Sequence, residues 1–507
     1  MNKYLKNSLG RILIILLAAT IELFVLLSVF KWFAGKAAWI MLFLSVSSVI
    51  ITLGIIKNSR HLSYDVMWIV LILLFPIPGT IIYIFLGADL IISPTFAKIY
   101  SETQNAFQYY PRDNGVLEEI KKKYPKHKGQ FEYISSAAGF SFYKNRDFKY
   151  YPLGELGFPD MLKELKKAEK FIFLEYFIID RGFMWNSILE ILEEKARQGV
   201  DVRVMYDDLG SFFLLPVNYA KTLEEKGIKC MPFNKINPLL NIIINHRDHR
   251  KIMVIDGKVA FSGGINLADE YINRTHPYGK WKDNIIKVKG EAVWSYTVMF
   301  LTHWNALRPT DEDFYKYQVK SRSTKQDGYI APYGETPLDT EMSSQNIYLN
   351  IINQAKDYCY IFTPYLIIDT EMINALILAA KRGVDICLVT PGIPDKKMVY
   401  SITRSFYHQL IEGGVRVVEY TPGFVHAKVF VADNIVATVG TINLDYRSLY
   451  LHFENGTYLY GCQVIKEIRD DLLESIGEGH EVTYEESERP FLQEFMLSVL
   501  RLFAPLM

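Results

Sequence analysis

The chain is written twice. Near residue 249 it reads His249-Arg-Lys251-Ile-Met-Val-Ile-Asp256, then Gly263-Gly264-Ile-Asn266. Near residue 426 it reads His426-Ala-Lys428-Val-Phe-Val-Ala-Asp433, then Gly440-Thr441-Ile-Asn443, with an offset of 177 at every key position. The echo continues upstream. Phe171–Asp180 matches Tyr360–Asp369 at an offset of 189, and Asp201 matches Asp385 at an offset of 184. A repeat whose offset drifts in this way implies two similar folding units that differ in loop length. It excludes a single undivided domain for this region.

Each unit alternates strand and helix patterns. In the first, Phe171–Asp180 is an apolar run of strand type, Trp185–Gln198 has helical spacing ending before Gly199, and Val200–Tyr206 is a further strand. Lys251–Asp256 and Val259–Ser262 flank Gly257 as a hairpin. Strands alternating with helices predict an α/β fold with mixed sheets, here two similar halves packed as a pseudo-dimer. The charged stretch Pro309–Gln326 reads as the linker. The expected organisation is a membrane region at 1–90, a first half at 91–308, the linker at 309–326, a second half at 327–490 and an amphipathic segment at 491–507.

The N-terminal region carries three apolar runs: Ile12–Phe30, Ala37–Ile56 and Val66–Leu86. A membrane-crossing helix needs about 20 apolar residues. The first run is too long for the apolar part of a cleaved signal peptide. Pro76, Pro78 and Gly79 interrupt the third, which reads as a kinked third span or as a membrane-embedded hairpin, the second being favoured beside two spans. Charge does not settle orientation, since Lys31 and Lys36 follow the first run and Lys57 and Arg60 the second; Lys3, Lys6 and Arg11 favour a cytoplasmic N-terminus, and two spans then return the chain to the cytoplasm. Residues 1–88 have seven Lys and Arg against Glu22 and Asp65. Because the whole chain is neutral, the remainder carries a net charge of −5. That balance argues against nucleic acid as substrate. Half of the residues are hydrophobic, which excludes a disordered chain. Cys230, Cys359, Cys387 and Cys462 form no CxxC pair and have no metal-ligand spacing, so they read as buried thiols in a reducing compartment.

The doubled motif specifies a chemistry. In a strand, residues two apart share a face, so His249 and Lys251 look the same way, as do His426 and Lys428. Two lysines with the amides of Asn266 and Asn443 can surround the oxygens of one phosphodiester. One imidazole can attack phosphorus while the other protonates the leaving alkoxide. The lysines supply the positive charge, so neither a metal nor another cofactor is expected. His246 and His452 have no repeat partner and read as packing or substrate-periphery residues.

The pair of HxKxxxxD motifs, each followed by GxxN, resembles the HKD signature of the phospholipase D superfamily over residues 130–490. Tyr206-Asp-Asp-Leu-Gly-Ser211, Arg247-Asp-His249, Trp281-Lys-Asp283, Gly423-Phe-Val-His426, Asn443-Leu-Asp-Tyr-Arg447-Ser448 and Leu502-Phe-Ala-Pro-Leu506 resemble its bacterial cardiolipin synthase branch. Residues 66–87 resemble that branch's membrane segment. The resemblance implies a catalytic set of His249, Lys251, Asp256, His426, Lys428 and Asp433, with the two aspartates structural. It also implies crossed carboxylates, Glu454 orienting His249 and Asp283 orienting His426, and His249 as nucleophile; spacing alone fits the reverse. Gly264 departs from the usual Ser or Thr, and the expected consequence is one fewer hydroxyl donor to phosphate.

The resemblance further implies a multi-pass enzyme of the cell membrane that converts two phosphatidylglycerol molecules into cardiolipin and glycerol. The alternatives are a phospholipase D hydrolase, transfer to another alcohol and, more remotely, a nuclease. The partners are then these lipids and the bilayer, with no nucleic acid; a homo-oligomer is compatible with the sequence. Ile236–Ile244 reads either as a lipid-facing lip or as a buried loop, and Phe491–Leu506 as a helix on the membrane or over the catalytic halves.

Overall fold

The structure is a computed structural model. It describes residues 37–59, 62–87, 94–111, 115–144, 147–236, 245–311, 313–320 and 327–504, with isolated residues between 20 and 31. The first repeat forms a sheet of seven strands: β1 (Asp147–Tyr151), β2 (Phe171–Tyr176), β3 (Asp201–Asp207), β4 (Lys229–Phe233), β5 (Lys251–Ile255), β6 (Val259–Gly263) and β7 (Ile285–Lys289). The second uses β8 (Tyr329–Glu335), β9 (Tyr358–Phe362), β10 (Asp385–Pro391), β11 (Arg416–Tyr420), β12 (Val429–Ala432), β13 (Val436–Gly440) and β14 (His452–Tyr460). The first order is β1-β7-β6-β5-β2-β3-β4 and the second is β8-β14-β13-β12-β9-β10-β11, so the two sheets have one topology. In each, the central strand is parallel to one neighbour and antiparallel to the other, which makes both sheets mixed.

Two helices lock the halves together. Val293–Leu307 is buried along nearly its whole length. Its Tyr296 hydroxyl pairs with Thr457 of β14 at 2.5 Å, and its His303 Nδ1 lies 2.9 Å from Glu175 of β2. Burying Trp304, Phe300 and Leu301 completely contributes about 1.5–3 kcal/mol each. Opposite, Asp471 on helix Val464–Glu478 accepts from Tyr150 of β1 at 2.6 Å and pairs with Lys282.

The packing cuts across the expected boundaries. Residues 115–144 precede the first sheet but pack on the second: Phe131 meets Tyr460 at 4.7 Å, and Tyr143–Lys144 pairs with β8. The opening of the expected linker is built into the first half. There Asp311 binds Arg203 at 2.6 Å and Phe314 stacks on Tyr109 at 4.6 Å.

In the N-terminal region, helix Ala37–Asn58 exposes Leu42, Phe43, Val46, Val49, Ile50 and Leu53. The third apolar run folds back on itself as Leu62–Leu74 and Pro76–Ile82 around Phe75. Gly79 makes that return possible, since a Cβ there would meet the Leu71 carbonyl oxygen at 2.4 Å. Among the described residues no helix is long and apolar enough to cross a membrane; side chains of Ala37–Asn58 are described from residue 42. Most of Ile12–Phe30, and 237–244 of the expected lipid-facing lip, lie outside the described residues.

Candidate active site

Both motif histidines sit where one half crosses the other. Strand Arg247–Asp248 runs parallel to the start of β14, pairing Arg247 with His452. Strand Gly423–Val425 runs parallel to Lys280–Lys282, pairing Phe424 with Trp281. The His249 N–H donates to the Phe453 carbonyl at 2.9 Å, and the His426 N–H to that of Lys282 at 2.7 Å. Each histidine therefore hangs on the strand of the other half, next to that strand's carboxylate. His249 Nδ1 lies 2.9 Å from both Glu454 oxygens, and His426 Nδ1 lies 2.6 Å from Asp283 Oδ2. Both carboxylates are wholly buried. A proton held between Nδ1 and a carboxylate leaves Nε2 as the ring nitrogen with a free lone pair.

The site is buried, and two lysines stand in it with the histidines. Burial pushes the His249 imidazole well below its usual range, helped by Lys251, His452, Lys428 and His426. Burial, then Lys428, takes His426 down to about 4 against the pull of Asp283. Burial lowers Lys251 to about 7, with Glu454 opposing, and Lys428 to about 8, with Asp283 and Glu454 opposing. Burial also raises the Glu454 carboxyl, which Lys251 counteracts. The two motifs are also tied directly, since the Asn455 amide accepts from the Lys251 N–H at 3.2 Å and donates to Ser262 at 2.8 Å. The lysines donate to backbone, Lys251 to the His249 carbonyl at 2.7 Å and Lys428 to that of His426.

The other motif residues divide by role. Asp256 receives the N–H groups of Glu169, Lys170 and Phe171 at 2.7–2.9 Å, and Asp433 those of Lys356, Asp357 and Tyr358 at 2.9–3.0 Å. Both aspartates thus fasten the start of the central strand rather than the reaction space. Asn266 donates to the Tyr271 hydroxyl at 2.7 Å and accepts from the Ile178 N–H at 3.0 Å, and Asn443 donates to Asp445 at 3.0 Å, so each amide has one N–H already engaged.

Gly264 stands where the second half has Thr441. Its counterpart Thr441 gives its hydroxyl to Glu454, so this position serves the orienting carboxylate in the second half. In the first half a Cβ on Gly264 would lie 1.9 Å from Asp283 Oδ1. Glycine is there because Asp283 occupies the space.

Two neighbours escape a reading by motif. The offset of 171 that joins Asp283 to Glu454 also joins Trp281 to His452. The His452 ring lies 5.7 Å from that of His249, and the Trp281 ring 5.5 Å from that of His426. Both are buried. Neither ring nitrogen of His452, nor Trp281 Nε1, has a hydrogen-bond partner among the described residues. That shared offset was the available signal.

Metal-type ligand atoms also gather from distant positions. They come from His249, His452 and Glu454, and from Glu175, Asp248 and His303. In the first set Glu454 already engages His249 Nδ1. In the second, Arg250 stands 4.0 Å from Glu175 and supplies positive charge.

The family model for the PLD-like domain of cardiolipin synthase matches residues 161–304 and 348–475, one match in each half. An uncharacterized protein of Streptococcus mutans is 45% identical over 87% of this chain and 96% of its own length. Cardiolipin synthase of Alkalihalophilus pseudofirmus is 32% identical over 94% of this chain and 95% of its own, and that of Halalkalibacterium halodurans 31% over 99% and 100%. The phosphatidylserine synthase structure from Haemophilus influenzae shares the fold, with a TM-score of 0.58 at 14% identity over 75% of this chain and all of its own. Two matched halves and near-full-length relatives place this chain in the PLD-like cardiolipin synthase family, among the phospholipid-metabolising enzymes of the phospholipase D superfamily.

Proposed function

We propose that the protein is a membrane phosphatidyltransferase that makes cardiolipin from two phosphatidylglycerol molecules. The observation that carries this reading is the pair of crossed histidine–carboxylate contacts around two buried lysines. A phosphodiester between them meets an imidazole on each side and a cation for its non-bridging oxygens. His249 Nε2 attacks phosphorus, the bond to the glycerol oxygen breaks, and His426, which takes up a proton on Nε2 when the phosphodiester anion offsets the burial and lysine charge that lower it in the free site, delivers that proton to the oxygen. Glycerol leaves and the phosphatidyl group stays on His249. His426, now neutral, takes the proton of a hydroxyl on a second phosphatidylglycerol. That oxygen attacks phosphorus, and the P–N bond to His249 breaks. Lys251 and Lys428 hold the oxygens throughout, with the second amide N–H of Asn266 and Asn443. His249 and His426 are only 8% and 7% exposed, which restricts water and favours alcohol as the acceptor.

The membrane part of the proposal has separate support. Helix Ala37–Asn58 presents an apolar outer face. Leu62–Leu74 is about 20 Å long at 1.5 Å per residue, so it and Pro76–Ile82 suit a hairpin that enters and returns better than a span. Helix Phe491–Leu502 exposes Phe491, Leu492, Phe495, Met496 and Val499 along one side, while Leu502 and Phe503 pack on the N-terminal helices. A cavity of about 490 Å³ lies between these helices and the second half, with Ile51 and Ile55 on one wall and His246 and Leu451 on the other. It brings lipid-type surface within three residues of His249. The basic residues before Ile12 orient the catalytic halves toward the cytoplasm.

The test is incubation of the purified protein with vesicles of phosphatidylglycerol alone. Cardiolipin and glycerol in equal amounts are expected. Phosphatidic acid as the only lipid product would replace this reading with hydrolysis.

A further inference from the structure

Displacement at phosphorus is in line, so the leaving and entering alcohols occupy the side opposite the attacking nitrogen. With His249 attacking, that side belongs to His426. Its surroundings are unlike those of His249. Tyr271, Trp281 and Phe424 stand 5.3, 5.5 and 6.0 Å from its ring. Tyr365 lies 6.4 Å from Phe424, and its hydroxyl donates to Asp395 Oδ2 at 2.6 Å. Asp395 is thereby joined to the His426 side through Tyr365 and Phe424, and its charge is felt at Lys428 and Tyr271. The indole N–H of Trp281, 6% exposed, has no acceptor among the described residues. Aromatic faces for C–H groups, a carboxylate for paired hydroxyls and a buried N–H donor make a combination that recognises a polyol.

We propose that Asp395, Tyr365 and Trp281 form a polyol subsite that binds the glycerol end of the alcohol, both as it leaves in the first half-reaction and as it enters in the second. The assignment rests on the transferase reading above and adds to it a reason for choosing a glycerol headgroup over water or a simple alcohol. Asp395 accepts from two neighbouring hydroxyls, Tyr365 fixes the carboxylate, and the reacting oxygen is left to His426. A site built to bind a hydroxyl discriminates against an acceptor that lacks it. The first phosphorus–oxygen cleavage does not need the subsite when the leaving group is not a polyol.

The experiment uses the full-length enzyme and phosphatidyl-4-nitrophenol, a donor whose leaving group is neither a polyol nor in need of a proton. Glycerol and ethanol are present together at equal concentration. The pre-steady-state burst of nitrophenolate reads the first half-reaction; the ratio of phosphatidylglycerol to phosphatidylethanol, by mass spectrometry, reads the second. The wild type favours glycerol. Asp395→Asn lowers that ratio by about 10–100-fold, the worth of a hydrogen bond to a charged group, with nitrophenolate release within about twofold of wild type. Tyr365→Phe lowers it less, because the carboxylate remains but is no longer held. An unchanged ratio in Asp395→Asn with normal release overturns the subsite. If Asp395→Asn also loses nitrophenolate release, Tyr365→Phe decides: normal release with a lowered ratio supports the subsite, and lost release or an unchanged ratio overturns it. A wild type that passes the phosphatidyl group only to water fails in a different way, by removing the transferase reading itself.

Discussion

The two halves share a sheet order, a crossing and a motif, yet they do not give their histidines the same surroundings. In one, His249 is held by Glu454, a carboxylate gripped by Thr441, with His452 and Phe177 alongside. In the other, His426 is held by Asp283, packed against Gly264, with Trp281, Tyr271 and Phe424 alongside. A symmetric frame puts two imidazoles in equivalent positions. The unequal side chains around them allow one to serve as nucleophile and the other as proton carrier beside an alcohol.

The largest effect is expected from forcing one half to imitate the other. Gly264→Thr places atoms where Asp283 Oδ1 lies, and Asp283 cannot move without leaving His426. Cardiolipin formation should fall by about 10²–10⁴-fold, as when a general acid is lost. Adding Asp283→Glu recreates the Thr441–Glu454 pair and should recover most of the rate. Recovery of nothing would mean that the two carboxylate sites are not interchangeable. The converse change, Thr441→Val, removes one hydrogen bond to Glu454 and should cost about 10–100-fold in kcat, with KM little altered.

Next is the response to pH. Lys251 and Lys428 have their cationic forms weakened, to about 7 and about 8, so each loses its charge as pH rises through those values. Because kcat/KM reports the free enzyme, it should fall about tenfold per unit between those values and about a hundredfold per unit above both. Lys251→Arg, always charged, should move the alkaline limb upward. A limb unmoved by this change would assign it to another group. The smallest effect is expected from chelator: with lysines as the phosphate cations, EDTA should change the rate by less than about twofold. Loss of activity restored by one stoichiometric metal would bring the His249–His452–Glu454 cluster forward as a metal site.

The doubled α/β architecture was legible because strand periodicity and the HxK spacing are local, and because both copies survive side by side. The hydrogen bonds that complete the site were not. His249 and Glu454 are 205 residues apart, and His426 and Asp283 are 143 apart. No local pattern links them, and only family resemblance joined them in advance. His452 was set aside for want of a repeated histidine; its counterpart is Trp281, equivalent in place but not in residue type. The contact of the Thr441 hydroxyl with Glu454 also joins residues that no local pattern links. The packing of residues 115–144 on the second sheet likewise depends on aromatic contacts such as Phe131 with Tyr460, which no periodicity announces.

The central claim is a division of labour between two similar histidines. It is tested most directly by intact-protein mass spectrometry of His249→Ala and His426→Ala after exposure to phosphatidyl-4-nitrophenol. His426→Ala should accumulate a phosphatidyl adduct on His249, because the leaving group needs no proton while the incoming alcohol is no longer deprotonated. His249→Ala should form none. An adduct on His426 in the His249→Ala protein, with none on His249 in the other, would contradict the assignment and reverse the roles of the two halves.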